Sequence, residues 1–177
     1  LKQTTVESLR KQLSGAMGFD PPSLEAAANW CLQNKVNLEE ALNWIDVAMD
    51  PNLGAVKSFR TLSTKANLLN ELNRKAESDA LMNSAVEIAT VTDLHGYGRQ
   101  LLAQKKTQEA ILIFEKNYTK YKGAWPTTAG LMRAYSATGD LKKALEYARK
   151  ALVQAPNEEN RKFIERAIDL LSQGKAL

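Results

Sequence analysis

The sequence predicts an all-α chain built from stacked helical hairpins, and three observations carry that prediction. Residues 124–157 form a complete two-helix unit, and the 34 residues before them echo it. Aligning Ala110 with Ala144 sets Tyr97 over Leu131, Leu101 over Tyr135 and Ile111 over Leu145. A period of this length with a small residue held in one slot marks such hairpins. Apolar residues also recur at helical spacing, and no segment sustains the period-two alternation of a strand. Finally, the five prolines and nine glycines fall mostly between the apolar-periodic segments, which leaves long helices joined by short turns.

The elements follow in order. Residues 4–14 carry Val6, Leu9 and Leu13 on one stripe, and Ser14 to Pro22 then interrupts the helix with two glycines and a double proline. Residues 1–20 therefore read as a lead-in, the tail of a preceding domain, and 21–177 as the repeat domain. Ser23 is the expected N-cap of a helix through Asn34, and Asn37 of a second, Leu38 to Met49. Asp50-Pro51 with Gly54 closes this first pair. The second pair covers 55–72 and 75–89, with Asn73 suited to a left-handed helix end. Thr92 or Asp93 opens the third pair, 93–104 and 107–121, which ends at Gly123. The fourth places Pro126 near a first helical position and runs over 126–138 and 141–154, joined by Gly139-Asp140. Asn157 caps a last helix, 158–173, apolar on one side and charged on the other, as the closing end of an array requires.

Composition narrows the function classes. Hydrophobic residues make up 44% and charged residues 25%, ordinary for a globular chain. No window approaches the roughly 20 apolar residues of a membrane span. Residues 1–90 carry 9 Lys/Arg against 11 Asp/Glu, net −2, and residues 91–177 carry 15 against 9, net +6. The basic half could attract acidic partners, but its cations alternate with Glu109, Glu115, Glu146 and Glu165, as on a solvated helix face. Aromatics are not interleaved with the basic residues as base-stacking platforms would be, so nucleic-acid binding is not expected. The single cysteine, Cys31, allows no internal disulfide and no multi-cysteine metal site. The chain begins at Leu1, which suggests a piece of a longer protein whose localisation stays open.

The fourth pair resembles a tetratricopeptide repeat through Leu131, Ala134, Tyr135, Gly139, Asp140, Ala144, Leu145, Ala148, Ala151, Leu152 and Pro156. It departs at Met132, where that family favours a small residue. The third pair resembles it through Tyr97, Gly98, Leu101, Ala110, Ile111 and Phe114, departing at Lys105 and Lys122, where glycine and proline are expected. The first pair keeps Ala41 in the small slot and the second substitutes Ser78. The resemblance implies a TPR-like right-handed superhelix of about four helix-turn-helix pairs plus a C-terminal capping helix. The segments around Trp30, Asn37 to Trp44, Thr92 to Gln104 and Ala124 to Pro126 further resemble the C-terminal region of an uncharacterised bacterial family with an N-terminal β-rich domain. That resemblance implies an exported parent protein and transfers no chemistry.

Carried over position by position, the concave face of such an array includes Trp30, Asn34, Arg60, Asn67, Asn70, His95, Arg99 and Arg133. The three arginines could grip carboxylates bidentately, although Gly96, Pro126 and Gly130 stand where the carboxylate clamp of chaperone-binding relatives needs polar groups. Trp30, Trp44 and Trp125 read first as packing residues. His95 could form a small polar site with Asp93 and Arg99. No nucleophile motif accompanies it, and one histidine without clustered carboxylates makes a poor metal site. The expected function is a non-enzymatic interaction module, without cofactor or metal, binding a protein, a peptide or the upstream domain of its own chain. The alternative is a helical accessory domain framing a site in a missing N-terminal domain. Self-association is left open.

Overall fold

The computed structural model describes all 177 residues and contains ten α-helices and no strand. They are α1 (Lys2–Leu13), α2 (Pro21–Asn34), α3 (Leu38–Val47), α4 (Phe59–Glu71), α5 (Lys75–Ile88), α6 (Val91–Ala103), α7 (Thr107–Lys120), α8 (Trp125–Ala137), α9 (Leu141–Gln154) and α10 (Glu158–Ser172). Short 3₁₀ turns cover Ala16–Phe19 and Pro51–Leu53. The chain divides into two compact units, Leu1–Ala89 and Thr90–Leu177.

Helix starts are set by local capping chemistry. Helix α2 begins two residues before the expected Ser23 cap. Asp20 accepts from the Ser23 N–H at 3.0 Å, and both prolines fit the first turn because their missing N–H groups would be unpaired there anyway. Helix α6 likewise begins before Thr92. Thr90 and Asp93 form a reciprocal capping box, each side chain accepting from the other's backbone N–H, so two orphan donors are satisfied together. Ser58 and Thr61 do the same for α4. The expected cap Asn157 is found, accepting from the Asn160 N–H, and Asp140 of the preceding turn caps α9 by accepting from the Lys143 N–H. Asn37 precedes α3 as expected but sits at φ +49 and makes no side-chain cap bond.

Several reversals use the left-handed region without glycine. Asn73 has φ +61, as its position predicted, and so does Lys105, where the repeat pattern favours glycine. Asn73 tolerates this region through its short polar side chain, whereas at Lys105 the backbone geometry of the turn prevails over side-chain preference, at a cost of about 1–2 kcal/mol.

In the first unit α2 pairs with α3 and α4 with α5, and the first helices of the two pairs, α2 and α4, also touch. Val6 of α1 is fully buried in the same cluster as Leu24, Ala28, Cys31, Ala41, Ile45 and Leu68. A smaller cluster gathers Met49, Leu62 and Ala85. In the second unit α6 pairs with α7, α8 with α9, and α10 closes against α9, with α6 also touching α8. One cluster runs through it, from Leu101, Ala110 and Phe114 to Ile164, Ala167 and Leu171.

The small-residue slots are buried throughout: Ala41, Ala110 and Ala144 are inaccessible and Ser78 is nearly so. The serine is accommodated because its hydroxyl donates to the Ala66 carbonyl at 2.7 Å, which satisfies a polar group that burial would otherwise penalise. Phe114 is the largest fully buried side chain. A Cβ built on Gly98 would lie 2.6 Å from its ring, and one on Gly130 2.3 Å. The ring therefore sits between α6 and α8 only because both helices present bare backbone to it.

Candidate functional site

The first helices of the pairs carry the eight expected inner-face residues, and each unit disposes of its share differently. In the first unit Trp30 is half-buried and packs against the core, as does Trp44. Asn34 donates from Nδ2 to the Trp30 carbonyl at 2.9 Å, and its own carbonyl accepts from Lys2 Nζ; its polar groups thus finish the end of α2. Arg60 grips the carboxylate of Glu25 from two of its nitrogens. The pair borders a cleft between the start of α2 and the Leu53–Ser58 loop. The positive charge there is already answered by the chain itself. Asn67 and Asn70, further along α4, do not line this cleft.

In the second unit the structure gathers the remaining three residues. His95 lies one turn before Arg99 on α6, and its Nδ1 is 2.9 Å from the Pro126 carbonyl at the start of α8. That distance assigns the proton to Nδ1, which donates. The ring meets Phe114 edge to face at a centroid distance of 5.8 Å. Burial pushes the imidazole pKa below the ordinary histidine range. The bond to Pro126 opposes this shift, and the charges of Arg99 and Arg133 add to it. His95 is consequently a neutral, oriented ring at neutral pH. Asp93, which the sequence grouped with it, is committed to the Thr90 cap, so no carboxylate is aligned with His95 for proton transfer.

Arg133, on α8, is half-buried and stacks over the Phe163 ring of α10 at 4.5 Å. Its pKa is depressed by burial first and by the nearby charge of Arg99 second. Neither guanidinium meets a carboxylate within ion-pair distance. Together with Leu102, Ala103, Ala137 and Leu177 they line an open cleft of about 330 Å³. Two cations thus line one apolar-floored cleft, with no Asp or Glu side chain among its lining residues.

Two further features carry no local sequence signal. One is a tyrosine ladder. Tyr135 stacks on Tyr147 at 5.6 Å, and Tyr147 meets Tyr118 edge to face at 5.7 Å. Tyr135 donates to Glu115 at 2.8 Å, and burial together with that bond pushes its pKa up to about 12. The other is Asn117, fully buried, which donates to the Val91 carbonyl at 3.0 Å while its Oδ1 finds no partner. Both depend on tertiary neighbours, and no local spacing signals them.

No group of three or more His, Cys, Asp or Glu residues is placed to hold a metal ion. No helix is long and apolar enough to cross a membrane. In sequence the chain matches no protein-family model and no curated protein. In structure it is similar to a protein of Podosopora anserina described as kinesin light chain with nearly identical TPR-like repeats. The TM-score is 0.50 at 17% identity, over 86% of this chain and 85% of that one. At that identity the likeness shows the fold alone: an all-α, TPR-like array of helical hairpins.

Proposed function

We propose that this chain is a non-enzymatic interaction module whose second unit captures an acidic segment of a protein, in an extended conformation, along α6 and α8. The observation that carries this reading is the Arg99–Arg133 pair, two guanidiniums lining one cleft with no acidic neighbour. Holding like charges together without an internal anion is unfavourable, and an incoming carboxylate relieves it. Leu102, Ala103 and Ala137 add an apolar floor for an aliphatic side chain. The net charge of +6 on this half favours encounter with acidic partners over basic ones.

The test uses fluorescein-labelled hexaglutamate as the probe and fluorescence anisotropy as the readout. The chain binds it with an affinity that falls as salt is raised, and R99E/R133E weakens binding about tenfold or more, the scale of charge-assisted contacts. The helical circular dichroism of the variant stays at the wild-type value. Equal binding by the variant and the wild type removes the cleft from the proposal.

A further inference from the structure

Of the chain's own residues after α10, Leu177 already lies in this cleft. Gly174, at φ +73, turns the backbone out of the helix, and the Lys175 N–H donates to the Leu170 carbonyl at 3.0 Å to close the turn. Three residues on, the Leu177 N–H donates to Ser136 Oγ at 2.8 Å, a contact spanning 41 positions. Ser136 is nearly inaccessible at 3% exposure and sits on α8, one turn from Arg133. Leu177 lines the same cleft as the two arginines.

We propose that Gly174–Leu177 is a tethered occupant of the Arg99–Arg133 cleft that an acidic peptide must displace. This rests on the reading of that cleft as a peptide site. The contact has the form an extended ligand would use, a backbone N–H given to a side chain of the inner helix with an aliphatic side chain beside it. It is also weak. One neutral hydrogen bond holds it, and Leu177 remains 46% exposed. A tethered, weak occupant lowers the apparent affinity for every other ligand by the fraction of time it is seated. It thereby rejects uncharged peptides, which offer nothing better, and yields to acidic ones, which bring several carboxylates to the two arginines.

The experiment compares the full chain, a form lacking residues 174–177, and S136A, with labelled hexaglutamate as the probe. Removal of the segment tightens binding roughly three- to tenfold, the range expected from losing one competing hydrogen bond, and S136A moves part of the way. Hydrogen exchange at the Leu177 amide is slower in the full chain than in S136A. Equal affinity in all three forms overturns the tethered occupant and leaves the peptide site standing. Absence of binding in all three removes the peptide site and the proposal with it. A Leu177 amide exchanging at the free-peptide rate in the full chain overturns the proposal whatever the affinities.

Discussion

In the first unit Arg10, Lys35, Arg60 and Lys65 each meet a carboxylate on another helix: Glu40, Glu71, Glu25 and Asp46. In the second, the pairs Lys143–Asp140, Lys150–Glu146, Arg161–Glu165 and Lys162–Glu158 join residues three or four positions apart, while Arg99 and Arg133 meet no carboxylate. The first unit also carries local pairs, Arg74–Glu77 and Lys75–Asp79, so the units differ in the pairs that join separate helices. Exposed ion pairs contribute about 0–1 kcal/mol each, so the contrast changes stability little. It changes which cations are available to a ligand, and that is why the candidate site falls in one unit.

The units also differ in how they fill their cores, and this supplies the largest expected effects. F114A should destabilise the second unit by about 3–5 kcal/mol, as for other buried aromatics. Residue-resolved hydrogen exchange should show the loss in Thr90–Leu177 ahead of Leu1–Ala89, and equal losses in both would break the distinction. G130A should cost about 1–3 kcal/mol through overpacking against the Phe114 ring, measured by urea denaturation. G96A on the same helix as Gly98, where an added Cβ meets nothing within 4 Å, should instead gain about 0.5–1 kcal/mol from helix propensity.

Smaller effects sharpen the charge comparison. E25Q should cost the first unit about 1 kcal/mol or less, because Arg60 is exposed and water takes over its solvation. His95 is the only histidine, so an acid-sensitive imidazole belongs to the second unit alone. Its folded pKa is depressed, so the stability it contributes is present above the ordinary histidine range. That stability is lost as pH falls through this range toward the folded value, since the unfolded chain takes up the proton first. H95Q should flatten the dependence of the second unit's stability between pH 7 and pH 5, and an unchanged slope would assign it to other groups.

The fold was legible in the residues because repeats write the same packing constraint several times. Ala110 and Ala144 mark one slot at one spacing, and Asn73 marks a left-handed turn by its chemistry. The helix starts were less legible. Asp20 and Ser23, or Thr90 and Asp93, are all acceptable caps, and only the formed turn decides between them. That Arg99 and Arg133 share one cleft followed from repeat position, since neighbouring first helices present equivalent faces. The Arg60–Glu25 pair did not, because its members stand 35 residues apart and nothing local couples them. The seat of Leu177 was equally invisible, lying beyond the last periodic segment. Gly98 was readable as a repeat position. That Gly130 and Phe114 complete the same contact required two helices to be placed.

That three-residue contact has a consequence for how sequences of this kind can drift. A ring on α7 and two bare backbones on α6 and α8 share one fixed volume, so none of the three positions can change alone without loss. A descendant that gains a side chain at 98 or 130 must first tolerate a smaller residue at 114, and the intermediate carries a void. Positions 98, 114 and 130 should therefore vary as a linked set among relatives, while the cations a few residues away remain free to be exchanged as ligands change.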